Sequence, residues 1–130
     1  RNGVILVNDS CLDTKTISPS LWALYNVLPS RTIQSPHRHN SVALDLCLTS
    51  PEHGCYTLMS KDINPETGAL RKPIRVNWET GSAFITPPGW WHAHHNETDQ
   101  EAVVFPVQDA GIHTYLRTLF IEFSSKNVEP

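Results

Sequence analysis

Pro36-His37-Arg38-His39-Asn40, answered downstream by Gly81-Ser82-Ala83-Phe84-Ile85-Thr86-Pro87-Pro88-Gly89-Trp90-Trp91-His92-Ala93-His94-His95-Asn96, supplies three imidazoles in a pattern suited to one metal ion. In an extended strand, residues two apart point to the same face, so His37 and His39 can both aim inward. A third ligand has to come from elsewhere. Pro87-Pro88-Gly89 makes a turn that ends one strand and re-aims the chain, which returns His92 across a barrel. A His-x-His by itself is a short motif that chance or a surface pair explains as often as a metal does. The second segment is what turns the pair into a metal-binding β-barrel.

Working outward, short apolar or alternating segments recur between turn-forming clusters: 4–7, 21–28, 42–48, 56–61, 74–77, 83–86, 102–107 and 115–123. That spacing predicts an all-β fold. Ten prolines in a short chain disfavour long helices, and no stretch carries a sustained helical period with caps. The segment 115–123 is long enough for a final helix, but Tyr115, Thr118, Phe120, Ile121 and Phe123 favour a strand. Asn64-Pro65-Glu66-Thr67-Gly68-Ala69 predicts a hairpin loop between 62 and 72, placed away from the metal.

A chain of 130 residues fits one domain, long enough to bury a core without disulfides. The expected layout is a single domain over 1–130: an N-terminal strand and connection over 1–19, the barrel over 20–123, and a loose tail over 124–130. A net charge of −3 with no basic stripe argues against nucleic acid as a partner. No apolar run reaches the length of a membrane span, and no signal-peptide pattern opens the chain. Cys11, Cys47 and Cys55 are an odd set without a CxxC pair, which argues against a disulfide framework and for a reducing cytoplasm. Cys47, inside Leu44-Asp45-Leu46-Cys47-Leu48, is expected as a buried small hydrophobe. The chain opens on Arg1 rather than Met, the start expected of a fragment or a processed chain.

The downstream segment reads Gly, five residues, Pro-x-Gly, two residues, His, three residues, Asn, and in that spacing it resembles the second cupin motif at every specified position. Leu21-Trp22-Ala23, Leu28-Pro29, His37-Arg38-His39, Thr86-Pro87 and Trp91-His92-Ala93-His94 narrow the resemblance to the gentisate, salicylate and 1-hydroxy-2-naphthoate 1,2-dioxygenase branch, over roughly residues 20 to 123. The resemblance implies a double-stranded β-helix, or jelly-roll barrel, of the RmlC-like cupin type. It implies His37, His39 and His92 as iron ligands. Many cupins place a glutamate shortly after the His-x-His; here Ala43 and Leu44 stand there, as in the ring-cleaving branch, which holds iron with three histidines. A neutral ligand set leaves the full charge on the ion and several coordination positions for ligands. Fe(II) is the expected cofactor, with Zn, Mn or Ni as alternatives that imidazole also suits.

The resemblance also implies substrate-contacting positions. His94 corresponds to a family histidine that contacts substrate and could act as a hydrogen-bonding partner or base. Trp22 corresponds to a tryptophan walling the substrate site, although a core indole needs no such role. Asn26 stands where relatives carry glutamine, and Asp109 resembles an aspartate late in the pattern. The departure is Asp45, where ring-cleaving relatives place an arginine that can fork onto the substrate carboxylate. A carboxylate there repels an anionic substrate unless it turns away or is protonated. His53, His95 and His113 are expected at the surface.

The expected function is that of an extradiol-type Fe(II) dioxygenase, an oxidoreductase cleaving a hydroxylated aromatic acid with dioxygen. The alternatives are a metal-binding cupin with Lewis-acid isomerase or lyase chemistry, and a non-enzymatic small-ligand-binding cupin. Exposed sheet edges predict a homo-oligomer, a dimer or larger.

Overall fold

The structure, a computed structural model, describes residues 2–124; of the tail expected over 124–130, residues 125–130 lie outside the described residues. Eleven strands run in chain order as β1 (Asn2–Leu6), β2 (Trp22–Leu28), β3 (Thr32–Ile33), β4 (His37–His39), β5 (Ala43–Thr49), β6 (Cys55–Ser60), β7 (Ile74–Asn77), β8 (Ala83–Thr86), β9 (Trp91–Asn96), β10 (Ala102–Gln108) and β11 (Ile121–Phe123), with one short helix α1 (Ala110–Tyr115) and a single 3-10 turn at Asp9–Cys11. They form two antiparallel sheets, β1-β2-β10-β5-β8 and β11-β4-β9-β6-β7, the second carrying β3 on β9. The all-β content is what the turn spacing predicts, and the two-sheet cupin sandwich is the fold the resemblance implies.

Between the sheets lies an apolar core of Leu28, Cys47, Cys55, Met59, Trp78, Phe84, Ala102 and Val104, all but closed to solvent. Each contributes by strand alternation: on β10, Ala102 and Val104 face in, and on β8, Phe84 and Thr86 do. β5 alternates too, but with its leucines outward. Ala43, Asp45 and Cys47 point into the sandwich while Leu44 and Leu46 are exposed. Register explains where those leucines go: Leu6, Ala23, Val107, Leu44 and Ile85 are successive cross-strand partners, one apolar row across the outside of all five strands of the first sheet.

The loop between β6 and β7 is a hairpin closed by the Ile63–Leu70 bridge, with Gly68 at φ 74 where a left-handed residue completes the turn. The strand expected over 115–123 is divided instead. Ala110–Tyr115 is helical, the chain turns at Arg117 with φ 59, and only Ile121–Phe123 is extended. A helix this short shows no legible period. What fixes it is close packing: a Cβ on Gly111 would sit 2.5 Å from the Ser20 carbonyl carbon, so only glycine lets α1 approach that segment. Among the described residues no helix is long and apolar enough to cross a membrane.

Candidate metal centre

His37 and His39 sit two apart on β4 and both face inward, each almost fully buried. β4 is paired to β9 through His37 opposite His92, so register alone brings the third imidazole alongside. The ring centres of His37 and His92 are 4.1 Å apart, and those of His39 and His92 4.9 Å. One ring nitrogen from each of His37, His39 and His92 lies within 4.8 Å of the other two, the reach of a single ion after small side-chain rotations.

Hydrogen bonds decide which nitrogens those are. Nδ1 of His37 lies 3.0 Å from the Ser35 carbonyl, Nδ1 of His39 2.9 Å from the Ser41 carbonyl, and Nδ1 of His92 3.1 Å from the Trp90 carbonyl. A carbonyl only accepts, so all three Nδ1 atoms carry the proton and Nε2 is the atom in each ring that could take an ion. His39 is held further: its Nδ1 is 3.0 Å from Ser41 Oγ, which in turn donates to Gln108 Oε1 at 2.8 Å. These groups fit a metal, because a buried, neutral, tautomer-locked set of three imidazoles is what a first-row divalent ion needs.

His94 follows on the same inward face of β9, 5.7 Å from His92 and 6.2 Å from His37 between ring centres. Its Nδ1 lies 2.8 Å from Thr57 Oγ1, and the Trp78 indole N–H donates to that same hydroxyl at 2.9 Å. His94 is outside the three-histidine group.

The other expected site residues are scattered in their roles. Asn26 is buried, and its Oδ1 accepts from Gln34 Nε2 at 3.2 Å, while the Gln34 side-chain Oε1 is buried with no hydrogen-bond partner among the described residues. Asp45 is buried and faces inward, accepting from Thr86 Oγ1 at 3.2 Å. Trp22 is half-buried opposite Gln108. Asp109 accepts the Val42 backbone N–H at 2.9 Å and ties the end of β10 to the start of β5. Asn96, which ends the downstream motif, serves a turn. Its amide donates to the Leu28, Pro29 and Gln100 carbonyls and its oxygen accepts from Thr98, closing the β9–β10 turn.

Away from the centre, His53 is exposed beside Glu52, and His113 in α1 lies near Thr118 and Asn40. His95 departs from the surface expectation: on the outer face of β9 it is half-buried and stacked on Tyr56 at 4.7 Å, and burial lowers its pKa below the ordinary 6.5. This pair lines a cleft of about 630 Å³ with Leu58, Ala93 and Leu70, outside the barrel. Cys47 is fully buried, and burial with Cys55 nearby raises its thiol pKa, as suits an inert core thiol.

Among the lysines and arginines of the described residues, Arg38 alone is less than exposed. It stacks on Trp91 and pairs with Glu122 at 2.6 Å, on the opposite side of β4 from His37 and His39. The signals that sequence reading missed are therefore Ser41, Gln108, Thr57, Trp78 and Gln34, ordinary polar residues that no motif marks.

No protein-family model and no curated protein sequence matches the chain. Among solved structures it is similar to a salicylate 1,2-dioxygenase from Pseudaminobacter salicylatoxidans, with 26% identity and a TM-score of 0.76 over 99% of this chain and 33% of that one. A variant salicylate 1,2-dioxygenase in complex with gentisate gives 25% identity and a TM-score of 0.76 over 100% of this chain and 32% of that one. A cupin domain from Bordetella pertussis, at 15% identity and a TM-score of 0.56 over 82% and 90% of the two chains, shares the fold. The chain spans about one third of the length of the dioxygenases it matches.

Proposed function

We propose that this chain, a member of the cupin superfamily that resembles the salicylate 1,2-dioxygenase branch, is the metal-holding unit of an Fe(II) ring-cleaving dioxygenase acting on a hydroxylated aromatic acid. The observation that carries this reading is the trio His37, His39 and His92, each with Nδ1 on a backbone carbonyl and no carboxylate in the group. When bound, Fe(II) would supply a centre where an aromatic substrate and dioxygen meet and exchange electrons. The protein's own share is to hold three Nε2 atoms at one point, to keep bulk water from them by burial, and to set His94 and Trp22 near the ring. The single domain and its barrel over 20–123 belong to the same reading, as does a reducing cytoplasm, supported by three buried cysteines standing as free thiols.

Asp45 favours a second reading. It is the one Asp, Glu, Lys or Arg among the buried described residues, it faces inward, and it stands where ring-cleaving relatives place an arginine. A carboxylate at that position repels an anionic substrate. This supports a metal cupin, Zn, Mn, Ni or Fe, doing Lewis-acid isomerase or lyase chemistry, or holding a small ligand without reaction.

The homo-oligomer is supported by the exposed apolar side chains Leu6, Leu44 and Ile85 on the outside of the first sheet and by β1, exposed along its whole length. A monomer by gel filtration at micromolar concentration would remove it. Oxygen uptake by anaerobically Fe(II)-reconstituted protein, tried with gentisate, salicylate and 1-hydroxy-2-naphthoate, tests the leading reading, with His92→Ala as control. Uptake abolished by the control is the expected result. Silence with iron bound moves the assignment to the second reading.

A further inference from the structure

Four inward imidazoles line one wall, and proton counting divides them. His37, His39 and His92 each point Nδ1 at a carbonyl, so each carries its proton there. His94 points Nδ1 at a hydroxyl, Thr57 Oγ1, at 2.8 Å. A hydroxyl can donate or accept, and Trp78 removes part of the ambiguity: its indole N–H only donates, and it donates to Thr57 Oγ1 at 2.9 Å. Thr57 is fully buried, so its own proton needs an acceptor inside the protein. The acceptor in range is His94 Nδ1.

We propose that Trp78 and Thr57 are positioning residues that lock His94 in the opposite tautomer to its three neighbours, with Nδ1 bare of a proton and Nε2–H presented as a hydrogen-bond donor to an oxygen of the ligand at the metal centre. The direction follows from topology. β9 lies between β6, which carries Thr57, and β4, which carries His37. In an imidazole the two nitrogens point to roughly opposite sides of the ring, so with Nδ1 turned to β6, Nε2 turns to the other side of β9, where the chain runs past Gln34 and on into β4. The same lock explains why a fourth histidine beside three ligands is not itself a ligand: its Nε2 lone pair is spent on a proton. The reverse assignment, Nδ1–H donating to Thr57, leaves the Thr57 proton buried without an acceptor, a loss larger than the preference between neutral tautomers.

The functional consequence rests on the metal reading above, but the lock itself does not require metal. Two-bond 1H–15N correlation spectra of 15N-histidine-labelled protein read the protonation of each ring nitrogen, with His94→Gln identifying the His94 signals. The metal-free protein is measured first and the zinc-loaded protein second. His94 is expected to show an unprotonated, hydrogen-bonded Nδ1 and a protonated Nε2 in both, while zinc shifts the Nε2 resonances of His37, His39 and His92. In Thr57→Val the His94 Nδ1 resonance moves to that of a nitrogen without a hydrogen bond, and Thr57→Ser restores it. A protonated Nδ1 on His94 in the unmodified protein, or a resonance unmoved by Thr57→Val, overturns the proposal. If Thr57→Val does not fold, the unmodified spectrum still decides. Zinc that leaves all three Nε2 signals in place would sink the metal reading and leave the tautomer assignment standing.

Discussion

β9 and β10 are consecutive strands, each in the interior of its sheet and each buried on both faces, yet they are built from opposite materials. β10 reads Ala-Val-Val-Phe-Pro-Val-Gln and turns Ala102 and Val104 into the apolar core. β9 reads Trp-His-Ala-His-His-Asn and turns His92, His94 and Asn96 inward. Burial of apolar surface accounts for β10 directly. It makes β9 costly unless the inward polar groups find partners, and each side chain has one: Trp90 carbonyl for His92, Thr57 for His94, three carbonyls for Asn96. A central strand that keeps polar side chains at such expense is one whose chemistry is wanted.

The largest effect that tests this contrast is on β9. His92→Ala is expected to abolish stoichiometric metal binding, measured by metal content after dialysis, while a single cooperative unfolding transition remains. Retention of one equivalent would mean the trio is not the site. On β10 the reverse pattern is expected: Val104→Ala, at a position with no solvent exposure, loses about 2–3 kcal/mol of stability in urea unfolding and keeps full metal stoichiometry. If Val104→Ala also lost its metal, the division of labour between the two strands would be wrong.

A subtler test asks whether the network behind the ligands acts on the metal. Ser41→Ala removes the hydroxyl linking His39 Nδ1 to Gln108 but leaves the Ser41 carbonyl bond in place. Metal affinity is expected to fall by roughly 10-fold, the lower end for loss of a group that orients a ligand. An unchanged affinity by competition titration with a chelator would make the carbonyl sufficient.

The turn-delimited strands and the histidine motif were legible because they rest on local chemistry: prolines, glycines and strand alternation put His37 and His39 on one face. Cys47 was expected buried and Asp45 at the site, and β5 does turn both inward; hidden from that reading was where its leucines go. Alternation in Leu44-Asp45-Leu46-Cys47-Leu48 favours leucines inward, but the strand is pinned between β10 and β8 in the register that turns Asp45 and Cys47 in and lays the leucines along an outer apolar row. The cover such a row invites is a matter between chains or domains, and local pattern does not report it. Helix α1 was missed for a related reason, since a close approach of Gly111 to Ser20 fixes it rather than a period of its own. Ser41, Thr57 and Trp78 were invisible because a hydroxyl or an indole acquires a role only when register places it within hydrogen-bonding distance of a ring.

The smallest effect belongs to the other face of β9, where His95 stacks on Tyr56 and is half-buried, with burial as the main cause of its lowered pKa, Arg75 adding to it and Glu97 opposing it. Folding thus holds this ring neutral at a pH where the unfolded chain protonates. The unfolded state binds the extra proton as pH falls below the ordinary 6.5, so stability contributed by the neutral ring is complete above that value and declines below it. Urea midpoints of metal-free protein are expected to drop between pH 7.5 and 5.5, and His95→Gln to drop less, by a difference of under about 1 kcal/mol. Every other histidine is common to both proteins and cancels in the comparison, so an equal or steeper drop in His95→Gln would mean that the outer face of β9 does not hold His95 neutral, and that the cost of burying histidine on this strand is confined to its inner face.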